Sequence, residues 1–351
     1  MDRRDFFKSA GAAGLALSPA QTAHASPLTE KQKLDRIASN TWPIRYIFKS
    51  RTGFGRGGRS EELKKKYGEL TMLDFPQFTK DTFPGVTHMD LFSGLFGDAA
   101  DDSMWAEVPL FVGTQTRVTH EFDPSSASGR KWLDKMAAKM AATGTKCQHI
   151  SNNAPRDICD MDAEKRKAGI EVAKKWLDGA KILGAKSMRV NSGGPRIVPN
   201  AVATSDYPKA DELAQYLKNC IESFKVMADH GSKVGVKVTL ENHWGLTANP
   251  MNIRIIVDEV HSPFCEASPD FCNWEHEYLL YNGLKALAPY AHTNVHAKYW
   301  NRWPETQSVK RSVGIMMAAG FEGTFALEYE DGPWDGVEGA KYLYKEVLAA
   351  L

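Results

Sequence analysis

The chain has 351 residues, 42% of them apolar and 25% charged, a globular composition that excludes disorder and fibrous repeats. Its 44 basic and 43 acidic side chains leave a formal charge of +1, without the basic excess of a protein that grips a nucleic-acid backbone. Beyond the N-terminus no apolar run reaches the roughly 18 residues of a membrane span, and a chain this long fits two domains or one α/β barrel.

The first residues read Asp2-Arg3-Arg4-Asp5-Phe6-Phe7-Lys8, then a small-residue apolar stretch to Leu17, then Ala23-His24-Ala25. Twin arginines, a short apolar region and an A-x-A end predict a Tat-type signal over residues 1–25, hence an exported, periplasmic protein. Residues 26–64 read as a polar N-terminal arm with a Gly/Arg-rich stretch over 51–59. The remainder, 65–351, alternates short apolar runs with amphipathic helices. Predicted strands fall at 70–74, 87–91, 146–150, 187–190, 236–240, 264–268, 293–297 and 324–327. Residues 97–125 read as an insertion after the second strand, and 193–208 as a long loop after the fourth.

Helix signals separate these strands. Asp162 caps a helix with Ile170, Ala173, Trp176, Leu177, Ala180 and Leu183 on one face, and Gly184 ends it. Leu213, Leu217, Ile221, Phe224 and Ala228 line the next, predicted to stop at Gly231. Asn249-Pro250 opens another, which runs to Val260. Further helices are predicted over 278–287 and 308–319, and a last one to the end of the chain. Eight βα units predict an α/β fold, a single (β/α)8 TIM barrel. A doubly wound sheet would carry a Gly-rich phosphate turn after its first strand, and none is present. The five cysteines form an odd set without Cys-x-x-Cys spacing, which argues against a disulfide framework or a thiolate zinc site.

Functional side chains of such a barrel stand where strands run into the following loops. The late strands end in Glu241-Asn242-His243-Trp244, Pro269-Asp270-Phe271-Cys272-Asn273-Trp274, His296-Ala297-Lys298-Tyr299-Trp300 and Glu328-Tyr329-Glu330. Glu241, Asp270, His296 and Glu328 are separated by 29, 26 and 32 positions, each about one βα unit. They should therefore meet at one mouth as a hard, oxygen-rich ligand set. One divalent ion is implied, manganese before magnesium or cobalt. Trp244, Trp274, Trp300, Trp303 and Trp334 follow these ligands closely, as aromatic platforms for a sugar would. Trp132 and Trp176 fall within helical patterns and read as core.

These segments, with Arg189-Val190-Asn191-Ser192-Gly193 at the fourth strand end, resemble the sugar phosphate isomerase/epimerase superfamily, the xylose-isomerase-like barrels. The likeness spans about 65–351 and is strongest from 160 onward. It implies one metal held by Glu241, Asp270, His296 and Glu328. It also implies that Glu241 and Glu328 serve as the acid/base pair on opposite faces of the substrate. Arg189 would bind a substrate oxygen or the developing enolate, and Lys298 would support the metal site or give a proton. Two positions depart from the pattern: Asp90, where many relatives carry Glu, and the bulky Trp244, where relatives often carry a small residue. His149, His243, Asn273, Trp244 and Trp300 are the candidate substrate contacts.

The reaction these residues suit is proton abstraction beside a carbonyl, with the two glutamates in environments that push their pKa values apart. The reading carried forward is a metal-dependent sugar isomerase or epimerase acting on a free sugar or keto-sugar. The alternative is a lyase or dehydratase that expels a β-substituent from a keto-sugar or keto-glycoside. A phosphodiesterase would need more metal ligands and a basic face, and the paired glutamates argue against a purely sugar-binding barrel. The partner is a small carbohydrate, without nucleic acid or membrane insertion, and self-association stays open.

Overall fold

A computed structural model describes residues 27–51, 57–112, 115–194 and 209–351. The twin-arginine segment, the centre of the Gly/Arg stretch and most of the 193–208 loop lie outside the described residues. Ten strands and the helices between them follow in chain order. The strands are β1 (Ile37–Asn40), β2 (His88–Phe92), β3 (Trp105–Val112), β4 (Gln115–Phe122), β5 (Lys146–Ser151), β6 (Ser187–Arg189), β7 (Lys237–Leu240), β8 (Cys265–Ala267), β9 (Asn294–Trp300) and β10 (Thr324–Asp331).

Eight of these pair in parallel in the order β8-β7-β6-β5-β2-β1-β10-β9. The two ends are joined by a parallel bridge between Asp270 and His296, with His296 N–H donating to Pro269 O and Phe271 N–H to His296 O, both at 3.1 Å. The sheet therefore closes into a (β/α)8 barrel, and two of the four expected ligands form its closing seam. The remaining strands, β3 and β4, make an antiparallel hairpin in the predicted insertion. Phe122 of that hairpin packs on Trp132 at 5.3 Å and Trp176 at 5.8 Å, holding the insertion against the helices.

The first strand is a correction. Residues 70–74 are not a strand: Thr71 and Asp74 form a reciprocal cap, and a helix over Phe75–Thr82 follows with Pro76 in its first turn. That is a helix-start signature. The barrel instead begins with Ile37–Asn40, inside the expected arm, where all four residues are buried and the strand lies between β2 and β10. The helix expected to stop at Gly231 continues to Val234 and ends on the left-handed Gly235. Gly231 serves close approach instead, since a Cβ there would stand 2.4 Å from the Val236 carbonyl oxygen.

Other boundaries agree with the capping chemistry. Asp162 accepts the Glu164 and Lys165 N–H groups at the start of its helix, and Asn249 accepts Met251 N–H with Pro250 in the first turn. Trp132 and Trp176 are buried core, and the five cysteines are buried and free. Among the described residues no helix is long and apolar enough to cross a membrane.

Candidate metal centre and its pocket

Side chains alternate along a strand, so residues two apart share a face. In β9 this puts Asn294, His296 and Lys298 on the barrel's inner side, and in β10 it puts Ala326, Glu328 and Glu330 there. Glu241 follows β7, and Asp270 follows β8 at the closing seam. These four late segments aim their polar ends at one point.

That point is the Nδ1 atom of His296. Glu328 Oε2 stands 3.1 Å from it, Glu241 Oε1 3.5 Å and Asp270 Oδ2 3.6 Å. Ligand atoms about 2.1 Å from one cation stand about 3 Å apart at right angles, so these spacings are close to the edges of a coordination shell. The opposite oxygen of each carboxylate is tethered. Glu241 Oε2 accepts from Arg189, Glu328 Oε1 from Lys298 at 2.8 Å, and Asp270 Oδ1 from the Cys272 and Asn273 N–H groups. Asp270 and Glu328 thus spend one oxygen on orientation and turn the other inward, while Glu241 is held at both, its inward oxygen also accepting from Asn273. His296 Nδ1 and Asp270 Oδ2 make no hydrogen bond although both are buried, and Lys298 Nζ stands 3.2 Å from the latter without hydrogen-bond geometry. Buried polar atoms are rarely left so. The donor set and its two open atoms fit a hard divalent cation.

The imidazole is oriented from behind. His296 Nε2–H donates to Asp90 Oδ2 at 3.0 Å, which turns Nδ1 toward the three acids. Ser151 and Asn294 donate to the two Asp90 oxygens at 2.7 and 3.0 Å. A carboxylate behind a ligating histidine fixes its tautomer and raises its basicity. Sequence reasoning noted Asp90 only as a departure from the family pattern. Its inner-face register in a predicted strand was the available signal.

The electrostatics follow from the pairing. Burial would raise Glu241, but Arg189 and His296 outweigh it and hold this acid well below the usual carboxylate range. Burial likewise opposes the Glu328 carboxylate, and His296 and Lys298 outweigh it, so Glu328 is lowered as well. Both glutamates are thus lowered, Glu241 beside Arg189 and His296 and Glu328 beside His296 and Lys298. Asp270 is raised, by burial first. Burial opposes the Lys298 ammonium, yet Asp270 and Glu328 hold its pKa well above the ordinary lysine value.

A cleft of about 120 Å³ opens above the acids, lined by Trp42, Phe92, Ser151, Asn153, Arg189, His243, Lys298, Glu328 and Glu330. Of the expected substrate contacts, His243 lines it. Asn273 lies just below, donating to Glu241 Oε1 at 2.7 Å and accepting from Lys298 at 2.9 Å. His149 is sealed beneath, its Nδ1 2.8 Å from Ser187 Oγ, and burial lowers its pKa to about 4. The expected tryptophans fare differently. Trp274 is fully buried core. Trp300 and Trp303 sandwich the Arg302 guanidinium at 4.7 and 4.5 Å. Trp334 stacks on Tyr342 at 4.3 Å. Neither these four nor Trp244 are among the cleft-lining residues. The aromatic wall is supplied by Trp42, missed because the strand before it carries no sequence signal, and by Phe92, one residue past the predicted end of the second strand.

Comparison with known proteins adds the family. No curated protein matches the chain. Among solved structures, an L-ribulose 3-epimerase superposes with a TM-score of 0.60 at 13% identity, over 90% of this chain and 94% of that one. A xylose isomerase-like TIM barrel protein from Mycobacterium smegmatis in complex with magnesium gives 0.51 at 14% identity, over 90% and 97%. A 3-keto-D-glucoside 4-epimerase from E. coli gives 0.50 at 15% identity, over 61% and 83%. Identities this low speak to the fold alone. Residues 108–350 match the profile of the xylose isomerase-like TIM barrels, and the chain belongs to that family.

Proposed function

We propose that the protein is a divalent-metal-dependent sugar isomerase or epimerase that works by proton abstraction beside a carbonyl. The observation that carries this reading is the convergence of three carboxylate oxygens on His296 Nδ1 at the floor of an open cleft. Glu241, Asp270, His296 and Glu328 would hold the ion, manganese before magnesium or cobalt. Bound there, a divalent cation supplies Lewis-acid polarisation of the substrate carbonyl. Glu241 and Glu328 approach the centre from different strands, and both are held as carboxylates, so either can accept the proton beside the carbonyl. Arg189, anchored to Glu241, faces the cleft and would take a substrate oxygen. Lys298 touches Glu328 Oε1 and stays an ammonium, which orients that carboxylate beside the metal position. His243 reaches the substrate from the rim. Structural similarity to an L-ribulose 3-epimerase and to a 3-keto-D-glucoside 4-epimerase supports the same reading.

The test is incubation of the manganese-loaded protein with ketoses and with 3-keto-glycosides in deuterated water. Solvent deuterium beside the carbonyl, with no fragment released, is the expected result. Release of water or an aglycone would move the assignment to elimination, and no exchange with either panel would refute both.

A further inference from the structure

Glu330 has no place among the metal ligands, yet it is one of the most firmly held groups at the mouth. Strand alternation sets it on the same face as Glu328, one step nearer the opening. Trp42 donates its indole N–H to Glu330 Oε2 at 2.5 Å. Arg45 donates to Oε1 at 3.3 Å, and Lys298 Nζ lies 3.5 Å from Oε2. A carboxylate offers about four acceptor positions, so the Trp42 and Arg45 donors leave room for a ligand. The wall beside it is apolar: Trp42 meets Phe92 edge to face at 4.9 Å, and Arg45 caps the Trp42 ring at 4.1 Å. Trp42, Phe92 and Glu330 all line the cleft. The cations that line it are already engaged, Arg189 by Glu241 and Lys298 by Asp270 and Glu328.

We infer that Glu330 is a specificity-determining residue: it accepts a hydrogen bond from a sugar hydroxyl beyond the reacting carbons, and its charge excludes phosphorylated sugars. The C–H face of the same sugar lies on the Trp42–Phe92 wall, where an aromatic surface offers contact area without demanding a polar partner. A phosphate ester would meet an anion there and find its potential counter-ions occupied. Arg45 and Trp42 fix the carboxylate from behind, so it has no freedom to turn away. This inference rests on the sugar isomerase/epimerase reading.

The test uses the magnesium-loaded protein and ligand-observed NMR, with fructose, tagatose and ribulose and the phosphate ester of each as probes. Wild type is expected to bind the free ketoses at least 100-fold more tightly than the esters. E330Q keeps the shape but not the charge. Its preference is expected to fall at least tenfold, its KM for a turned-over ketose to rise about tenfold, and its kcat and metal content to hold. E330D keeps the charge, so the esters stay excluded while ketose binding weakens. An unchanged preference in E330Q, or loss of it in E330D, overturns the role of Glu330 and leaves the sugar reading standing. Wild type that binds no ketose overturns both.

Discussion

The two halves of the barrel divide the work unequally. The late half, from β7 to β10, supplies every atom that faces the candidate metal position. The early half, from β1 to β6, supplies none of them, but it sets their orientation and walls the cleft through Asp90, Ser151, Arg189, Trp42 and Phe92. A ligand set can thus be read from one end of a chain while the groups that aim it, and that face the substrate, come from the other. Closure makes this possible, because β1 pairs with β10 and Asp270 bridges to His296.

The sharpest way to break that division is to disable the late half chemically without disturbing its shape. Glu241→Gln and Glu328→Gln are each expected to lower turnover by about 10²–10⁴-fold, the usual worth of a positioned acid or base. His296→Ala should in addition abolish retention of the cation through dialysis, read by metal analysis. Full turnover in either glutamine variant would remove that residue from the acid/base pair, and would return the late half to a merely structural role.

The early half is tested first through its neglected strand. Ile37 is fully buried between β2 and β10, so Ile37→Ala is expected to cost about 2–5 kcal/mol of stability in a denaturant titration. Leu70 is only half-buried, and Leu70→Ala is expected to cost about 1 kcal/mol, as for an ordinary partly exposed site. The reverse ranking would restore the first strand to residues 70–74.

Physical distance along the chain explains which features were legible. The strands and helices after residue 145 carry local signals of periodicity and capping, and Asp162, Asn249 and the ligand spacing each report on their own unit. The strand Ile37–Asn40 has no such signal. It is four residues long, its sequence Ile-Ala-Ser-Asn lacks alternation, and both of its faces are buried by partners far along the chain. The polar Ser39 is tolerated because it pairs with Thr79 at 2.7 Å, a contact the sequence does not announce. Glu330 was within reach, since the alternation that selects Glu328 selects it too. Trp274 was misread for a different reason: closeness to a ligand in sequence does not say which side of the barrel wall a ring enters, and Gly283 leaves room for it in the helix layer.

The smallest effect should come from the support rather than the ligands. Asp90 does not face the candidate position. It holds the far nitrogen of His296, and Ser151 and Asn294 hold it in turn. Asp90→Asn keeps the shape and one acceptor, so the fold and the geometry of the three acids should survive. What it removes is the full negative charge that favours a proton on Nε2, and with it part of the basicity of Nδ1. Cation affinity should therefore fall by about 10–100-fold, as for other carboxylates behind a ligating histidine. Turnover at saturating metal should change much less. A titration of activity against free manganese separates the two halves of the barrel: a shifted midpoint with a preserved plateau is the mark of an orienting residue. A lost plateau at unchanged midpoint would instead place Asp90 in the chemistry, and the division of labour between early and late strands would not stand.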